Sequence, residues 1–331
     1  MSSRENDAAW CKSPPSKPRL LAVVGATASG KSAVAVELAK RLGGEIVSCD
    51  SMQVYRGMSI GTAKPTAEEM GGIAHHLIDV AKPDADFNCA DYVALAQKAI
   101  EKIRAREKLP ILCGGTGLYL DSLLRGGFEE TQSDPVLRQG LFDYAAEHGN
   151  HALHERLRAV DPESAELIHE NNVKRVVRAL EIYESTGMTK TEADRRTREI
   201  DPPYDATVIG LHYPEREILY GRIDFRVDEM LANGLLEETR ALYEAGVFER
   251  NATAAQAIGY KELLGVLEGT DTLEAAVETL KRATRRYAKR QITWFSAKPY
   301  VKWIDMTEHG EPLPLTAIVE KIMCHFIQNK F

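Results

Sequence analysis

Residues Arg19–Leu42 read RLLAVVGATASGKSAVAVELAKRL, and this stretch decides the fold. LLAVVGA is a continuous apolar run, as expected of a strand buried on both faces, while AVAVELAKRL repeats its apolar positions at helical spacing. Between them GATASGKS fits the pattern G-x-x-x-x-G-K-[ST], placed after a strand and opening a helix, where its physics requires it. Glycines let the backbone fold around an anion, successive N–H groups turn inward, and the helix N-terminus adds positive partial charge. Gly25, Ala26, Thr27, Ala28, Ser29, Gly30, Lys31 and Ser32 are therefore the expected phosphate cradle. Lys31 would reach the outer phosphate, and the Ser32 hydroxyl would ligate Mg²⁺. The plainer alternative is a glycine-rich turn with an exposed lysine. The loop by itself fits a kinase or a nucleotide hydrolase equally well, so nucleotide binding stays open at this point.

Working outward, EIVSCD (Glu45 to Asp50), HLIDV (His76 to Val80), LPILCGG (Leu109 to Gly115), ATVIGLHYP (Ala206 to Pro214) and YVKWID (Tyr300 to Asp305) are further short apolar runs. Segments with helical spacing, such as ADYVALAQKAIEKIRAREK, separate them. Alternating strands and helices predict an α/β fold, a P-loop NTPase-like parallel sheet flanked by helices. Between residues 126 and 205 Glu, Arg, His and Ala recur at helical spacing with no convincing strand, which predicts an all-helical insertion domain. The core then comprises 19–125 and 206–331. Residues 1–18, MSSRENDAAWCKSPPSKP, are polar and Pro-rich and read as a disordered leader.

A chain of 331 residues with 44% hydrophobic residues can bury one large core or one core plus a satellite. No apolar run approaches the roughly 20 residues that span a bilayer, so no membrane association is expected. The five cysteines, Cys11, Cys49, Cys89, Cys113 and Cys324, are scattered and unpaired in spacing, which argues against a disulfide framework or a zinc finger and suits a reducing cytoplasm. A net charge of -7 argues against a polyanionic partner, but its distribution does not: Lys281 to Lys298 carries seven basic residues and no acidic one.

In a parallel sheet the carboxyl ends of the strands line the ligand crevice, so Asp50 is expected near the cradle. It could hold Mg²⁺ through water, accept a proton from an incoming nucleophile, or merely cap a turn. CGGTGLYLDSLL, from Cys113, repeats the arrangement at another strand end. There Thr116 presents a hydroxyl either to substrate or to its own helix as a cap.

Taken together, GATASGKS, SCDSMQVYRGMSIGTAKP and CGGTGLYL resemble the tRNA dimethylallyltransferase family, the tRNA isopentenyltransferases, of bacterial type. The match continues in order through HHLIDV, NNVKRVVRALEIYESTG, RIDFRVDEML, QAIGYKE and KRQITWF, covering Leu21 to about Asp305. The resemblance implies transfer of a dimethylallyl group from dimethylallyl diphosphate to the exocyclic N6 amine of the adenosine 3′ to the anticodon. The products are N6-(dimethylallyl)adenosine and diphosphate, with Mg²⁺ assisting. It implies that the cradle grips the diphosphate, with Thr27 at its inner turn, that Asp50 is the general base, that Arg226 faces the diphosphate and that Thr116 contacts the target nucleotide. Asp50, Ser51, Met52 and Gln53 fall on stretches that touch the anticodon arm, as do Lys174, Arg175, Val176, Val177 and Arg178. So do Gln256, Gly259, Tyr260 and Lys261, and the single residue Arg138. The implied partner is a tRNA anticodon stem-loop, bound by a monomer.

On a helical wheel Lys174, Arg175 and Arg178 share one face, opposite Val173, Val176, Val177, Leu180 and Tyr183. Lys281, Arg282, Arg285, Arg286, Lys289 and Arg290 likewise occupy one half of a wheel, which predicts phosphate contact over a plain solvated face. The chain departs from the family at Ala26, where proline is common, and at Ser59, where aspartate often follows Arg-Gly-Met. Three other readings stand beside this one: an adenylate isopentenyltransferase acting on free nucleotide, a P-loop kinase of small metabolites, and a non-catalytic nucleotide switch.

Overall fold

The computed structural model describes residues 17–125 and 134–328. Residues 1–16 of the expected leader lie outside the described residues. Pro18 already belongs to the sheet, because its carbonyl accepts the Asp205 N–H at 2.9 Å.

Six parallel strands form the main sheet: β1 (Arg19–Gly25), β2 (Gly44–Ser48), β3 (His75–His76), β4 (Leu109–Gly114), β5 (Asp205–His212) and β6 (Val301–Asp305), in the order β3-β2-β4-β1-β5-β6. Leu21 of β1 pairs with Ile111 on one side and Thr207 on the other. This central place explains the unbroken apolar run, since Leu20 to Val24 are at most 1% exposed. The helices of this part are α1 (Lys31–Leu42), α2 (Ala67–Met70), α3 (Cys89–Ala105) and α4 (Gly117–Arg125). Asn88 caps α3 reciprocally with Asp91, as a capping box does.

The run HLIDV is a strand for one residue only. Leu77 and Asp79 adopt φ of 64° and 57°, left-handed conformations that take the chain off the ladder. The turn is held from elsewhere: Asp79 donates its N–H to the Gln53 carbonyl at 3.1 Å and its carboxylate meets Lys64 at 2.5 Å. On the other face of β2, Glu45 is 4% exposed and bonds His76, Arg106 and Lys108. Burial would raise its pKa, but the three partners together outweigh that and hold it at about 2.

The chain divides into two compact units, one of them Leu124–Pro203. That unit carries α5 (Pro135–Val160), α6 (Pro162–Leu167), α7 (Val173–Thr186) and α8 (Lys190–Glu199). Asp134 caps α5, and Gly149 interrupts it with φ 86° and ψ 158°. Its core packs Leu141, Leu153 and Leu157 against Val176, Val177 and Leu180.

After β5 the first unit resumes with α9 (Arg216–Ala232), α10 (Leu235–Glu244), α11 (Val247–Arg250) and α12 (Leu264–Leu267). A long α13 (Leu273–Ser296) follows, and beyond β6 come a small hairpin, β7 (Thr307–Glu308) and β8 (Glu311–Pro312), and α14 (Leu315–Gln328). Thr272 caps α13 by accepting the Ala275 N–H, and Ala276, Leu280, Ala288, Gln291 and Phe295 form its buried stripe.

Candidate active site

The cradle is built by backbone geometry first. Gly25 has φ 146°, and a Cβ there would lie 2.8 Å from the Leu211 carbonyl oxygen of the neighbouring strand. Gly30, the N-cap of α1, has φ 89°. The turn is clamped at several points. Ser29 donates its N–H to the Ala26 carbonyl at 3.3 Å, Arg222 Nε donates to the Ala28 carbonyl at 2.9 Å, and Gln291 Oε1 accepts the Thr27 N–H at 2.8 Å. Lys31 folds back on the loop, its Nζ donating to the Ala26 carbonyl at 2.6 Å. Enclosure of that ammonium lowers its pKa to about 8, the neighbouring Arg226 adding to the effect and Cys113 and Asp50 opposing it. An anion held here needs the charged amine. Affinity for inorganic diphosphate is therefore expected to be level below that value and to fall by up to about tenfold per pH unit above it. Calorimetric titrations on either side of that value check this, and Lys31→Met should remove the dependence.

Asp50 follows β2 and opens a turn in which its Oδ1 accepts the N–H groups of Met52 at 2.8 Å and Gln53 at 3.3 Å. The residue thus does cap a turn, and it also lines the same cleft as Lys31 and Arg226. Beside it Gly114 packs so tightly that a Cβ would fall 2.0 Å from the Cys49 carbonyl oxygen. Thr116 donates its N–H to that oxygen at 3.2 Å, and its hydroxyl accepts the Ser51 N–H at 3.0 Å. The two turns are therefore sewn together, backbone to backbone and through one hydroxyl. Arg226, on α9, brings Nη1 within 3.5 Å of Thr27 Oγ1, and burial lowers its pKa.

Thr27, Lys31, Asp50 and Arg226 line a cleft of about 320 Å³, whereas Thr116, its hydroxyl engaged by the Ser51 N–H, stands behind that lining. Ser32, Cys113, Tyr287 and Arg290 also border it. Burial pushes the Cys113 thiol up to about 11, so it is protonated and inert at neutral pH. Burial also raises the Tyr287 phenol, with the Asp50 charge acting in the same direction.

The residues expected to meet RNA divide into two groups. Ser51, Met52, Gln53, Gln256, Gly259 and Lys261 border the cleft. Gln53 is also internally engaged, accepting from the Ser48 hydroxyl and donating to the Thr62 and Ala63 carbonyls. Tyr260 is not a surface group: it is 0% exposed and its hydroxyl donates to Glu238 at 2.7 Å. The same carboxylate accepts the N–H groups of Ser59, Ile60 and Gly61 at 2.9–3.0 Å, joining the two walls that carry Gly61 and Gly259. Ser59 takes part through its backbone with its side chain exposed, so its departure from the family pattern leaves this network intact.

Within the helical unit Lys174 and Arg175 are exposed, whereas Val176 and Val177 are at most 1% exposed and serve its core. An RNA contact through those two valine side chains is corrected by this burial, since the amphipathic face turns them inward. Arg138 and Arg178 bind the fully buried Glu181 at 2.8 and 2.9 Å, neutralising it. Along α13 the basic face is also narrower than the wheel predicts. Lys281 pairs with Asp228 at 2.7 Å and Arg285 with Asp224, both on α9, leaving Arg282, Arg286, Lys289 and Arg290 exposed.

The model of the family described as "IPP transferase" matches residues 53–298. The chain is 50% identical over 293 residues to the tRNA dimethylallyltransferase of Halalkalibacterium halodurans, 88% of this chain and 92% of that protein. It is 49% identical over 292 residues to that of Geobacillus thermodenitrificans, 88% and 91% of the two chains. The chain belongs to the IPP transferase family. Its fold is that of a tRNA isopentenylpyrophosphate transferase from Bacillus halodurans, at a TM-score of 0.70 and 46% identity over 95% of this chain and 97% of that one. A eukaryotic dimethylallyltransferase acting on tRNA aligns at a TM-score of 0.80 and 31% identity, over 94% and 80%.

Three residues that brace the site escape a reading of the sequence. Arg222, Glu238 and Gln291 act on backbone groups far away along the chain, and no local spacing marks them. Gln291 stands within KRQITWF, a run that carries the resemblance without any hint of which main-chain atoms its amide meets.

Proposed function

We propose that this chain transfers the dimethylallyl group of dimethylallyl diphosphate to the N6 amine of the adenosine 3′ to the anticodon of tRNA. The observation that carries the reading is one cleft in which an anion cradle with Lys31 and Arg226 faces the Asp50 carboxylate. The cradle and its cations hold the diphosphate. The N6 lone pair attacks the allylic carbon, the carbon–oxygen bond breaks, and its electron pair leaves on the diphosphate oxygen. Negative charge grows on that oxygen in the transition state, where Lys31 and Arg226 stabilise it most. An aromatic amine has little basicity, so Asp50 takes its proton as the new bond forms. The target base must leave the stacked anticodon loop to enter the cleft.

Among the described residues no cluster of three or more acidic, His or Cys side chains could cage a metal. Mg²⁺ commonly keeps several waters and binds through one or two protein oxygens plus substrate phosphates. The exposed Ser32 hydroxyl at the start of α1 is the residue to hold it. Bound there, Mg²⁺ would neutralise charge on the leaving diphosphate. The exposed cations Lys174 and Arg175 of the helical unit, spanning 126–205 in the sequence reading, support its assignment to the anticodon arm. A tRNA substrate and thiols outside any disulfide at Cys49, Cys113 and Cys324 fit the cytoplasm.

Incubation with labelled dimethylallyl diphosphate, Mg²⁺ and either unmodified tRNA or AMP tests the reading. Label is expected in tRNA alone. Label in AMP would establish a free-nucleotide prenyltransferase, and label in neither would remove prenyl transfer altogether.

A further inference from the structure

We infer that Gln291 is a positioning residue that sets the distance between the diphosphate cradle and the acceptor turn; the inference rests on the prenyl-transfer reading above. Its side chain leaves the buried stripe of α13 at 6% exposure and ends between two main chains. Oε1 accepts the Thr27 N–H at 2.8 Å, and Nε2 donates to the Gly115 carbonyl at 3.0 Å. The partners fix which end of the amide is which, because a peptide N–H only donates and a carbonyl oxygen only accepts. An ionised glutamate of the same length would only accept, whereas the amide supplies an acceptor and a donor without charge.

Gly115 supplies an independent sign of the same contact. Its φ lies outside the left-handed region, so its backbone would tolerate any residue. A Cβ there would nevertheless fall 2.1 Å from Gln291 Nε2. The glycine is required by the amide that sits on it, a different reason from that at Gly114, where backbone packs on backbone.

From Gly115 the linkage runs on to the base. Thr116 is the next residue, its hydroxyl accepts the Ser51 N–H at 3.0 Å, and Ser51 adjoins Asp50. On the other side Thr27 lies within the cradle and borders the cleft. One amide therefore spans two parts that must be in register during the reaction: the group holding the leaving diphosphate and the group removing the proton. Gln291 itself takes part in neither step. Misplacement of about 1 Å between reacting groups can cost about 10²-fold in rate without a matching loss of binding.

Steady-state transfer assays on purified full-length protein, with equilibrium binding of dimethylallyl diphosphate and of tRNA, test this. Gln291→Met keeps the length and loses both hydrogen bonds. Its kcat is expected to fall about 10²-fold while both dissociation constants stay within a few-fold. Gly115→Ala removes no hydrogen-bonding group, and it should lower kcat by displacing the amide, which keeps the test open if Gln291→Met does not fold. In Gln291→Ala the main obstacle to a methyl at 115 is gone, and the Gly25 carbonyl oxygen at 3.3 Å is the tight contact that stays. Adding Gly115→Ala to that variant should then cost several-fold less than the same change costs the wild-type protein. Unchanged kcat in Gln291→Met, a rise in KM alone, or losses that multiply in the double variant would each overturn the assignment. Failure of the wild-type protein to transfer label to tRNA would instead refute the prenyl-transfer reading.

Discussion

Asp50→Asn is expected to lower dimethylallyl transfer about 10²- to 10⁴-fold, the contribution of a placed general base, with tRNA binding changed only a few-fold. The asparagine variant is the informative one. Asp50 Oδ1 also accepts the Met52 and Gln53 N–H groups, and asparagine keeps an oxygen for them. Its fold and turn should therefore persist while the proton acceptor is lost. Asp50→Ala removes both functions, so any further loss from asparagine to alanine measures the turn. Single-turnover transfer and tRNA binding on the two variants separate these contributions. If Asp50→Asn transfers as well as wild type, the carboxylate is a turn cap and nothing more.

Arg226→Gln is expected to lower kcat/KM for dimethylallyl diphosphate about 10²- to 10³-fold, the usual cost of removing one donor from a site where charge develops. Stability should move the other way or not at all. The guanidinium is half-buried, and that desolvation, with Arg222 and Lys31 nearby, lowers its pKa although Glu69, Glu229 and Asp50 oppose the shift, so the folded protein bears a net cost for holding it there. Thermal unfolding of the variant should thus begin no earlier than in wild type. A variant that unfolds at lower temperature and loses binding and turnover in proportion would mark Arg226 as structural. Arg226→Lys should recover little, because an ammonium cannot reproduce the planar fork that reaches Thr27 and would have further N–H groups for a phosphate oxygen.

The cradle was legible because every part of it is local: two glycines, a lysine and a serine at fixed spacing between a buried strand and a helix. Asp50 and Thr116 were legible for a related reason, since each follows a strand at the sheet end where ligands bind. The basic helix faces were legible only in part. A wheel shows that Lys281 and Arg285 lie with the other cations, but it cannot show the Asp224 and Asp228 carboxylates that α9 brings to them. The same holds for Arg138 and Arg178, whose partner Glu181 is buried at the centre of its own unit. HLIDV kept a strand's apolar pattern past the residues that pair, because left-handed backbone at Leu77 and Asp79 depends on contacts with Gln53 and Lys64.

The amino-acid sequence alone determined that a P-loop opens an α/β sheet, that a helical segment interrupts the core, and which carboxylate and threonine follow the strand ends. Those features rest on covalent spacing and on the periods of helix and strand, which neighbouring residues set among themselves. The tertiary structure decided which polar groups are spent on one another. Hydrogen bonds act over about 3 Å, so partners as distant along the chain as Thr27, Gly115 and Gln291 find each other only after the sheet and α13 have packed.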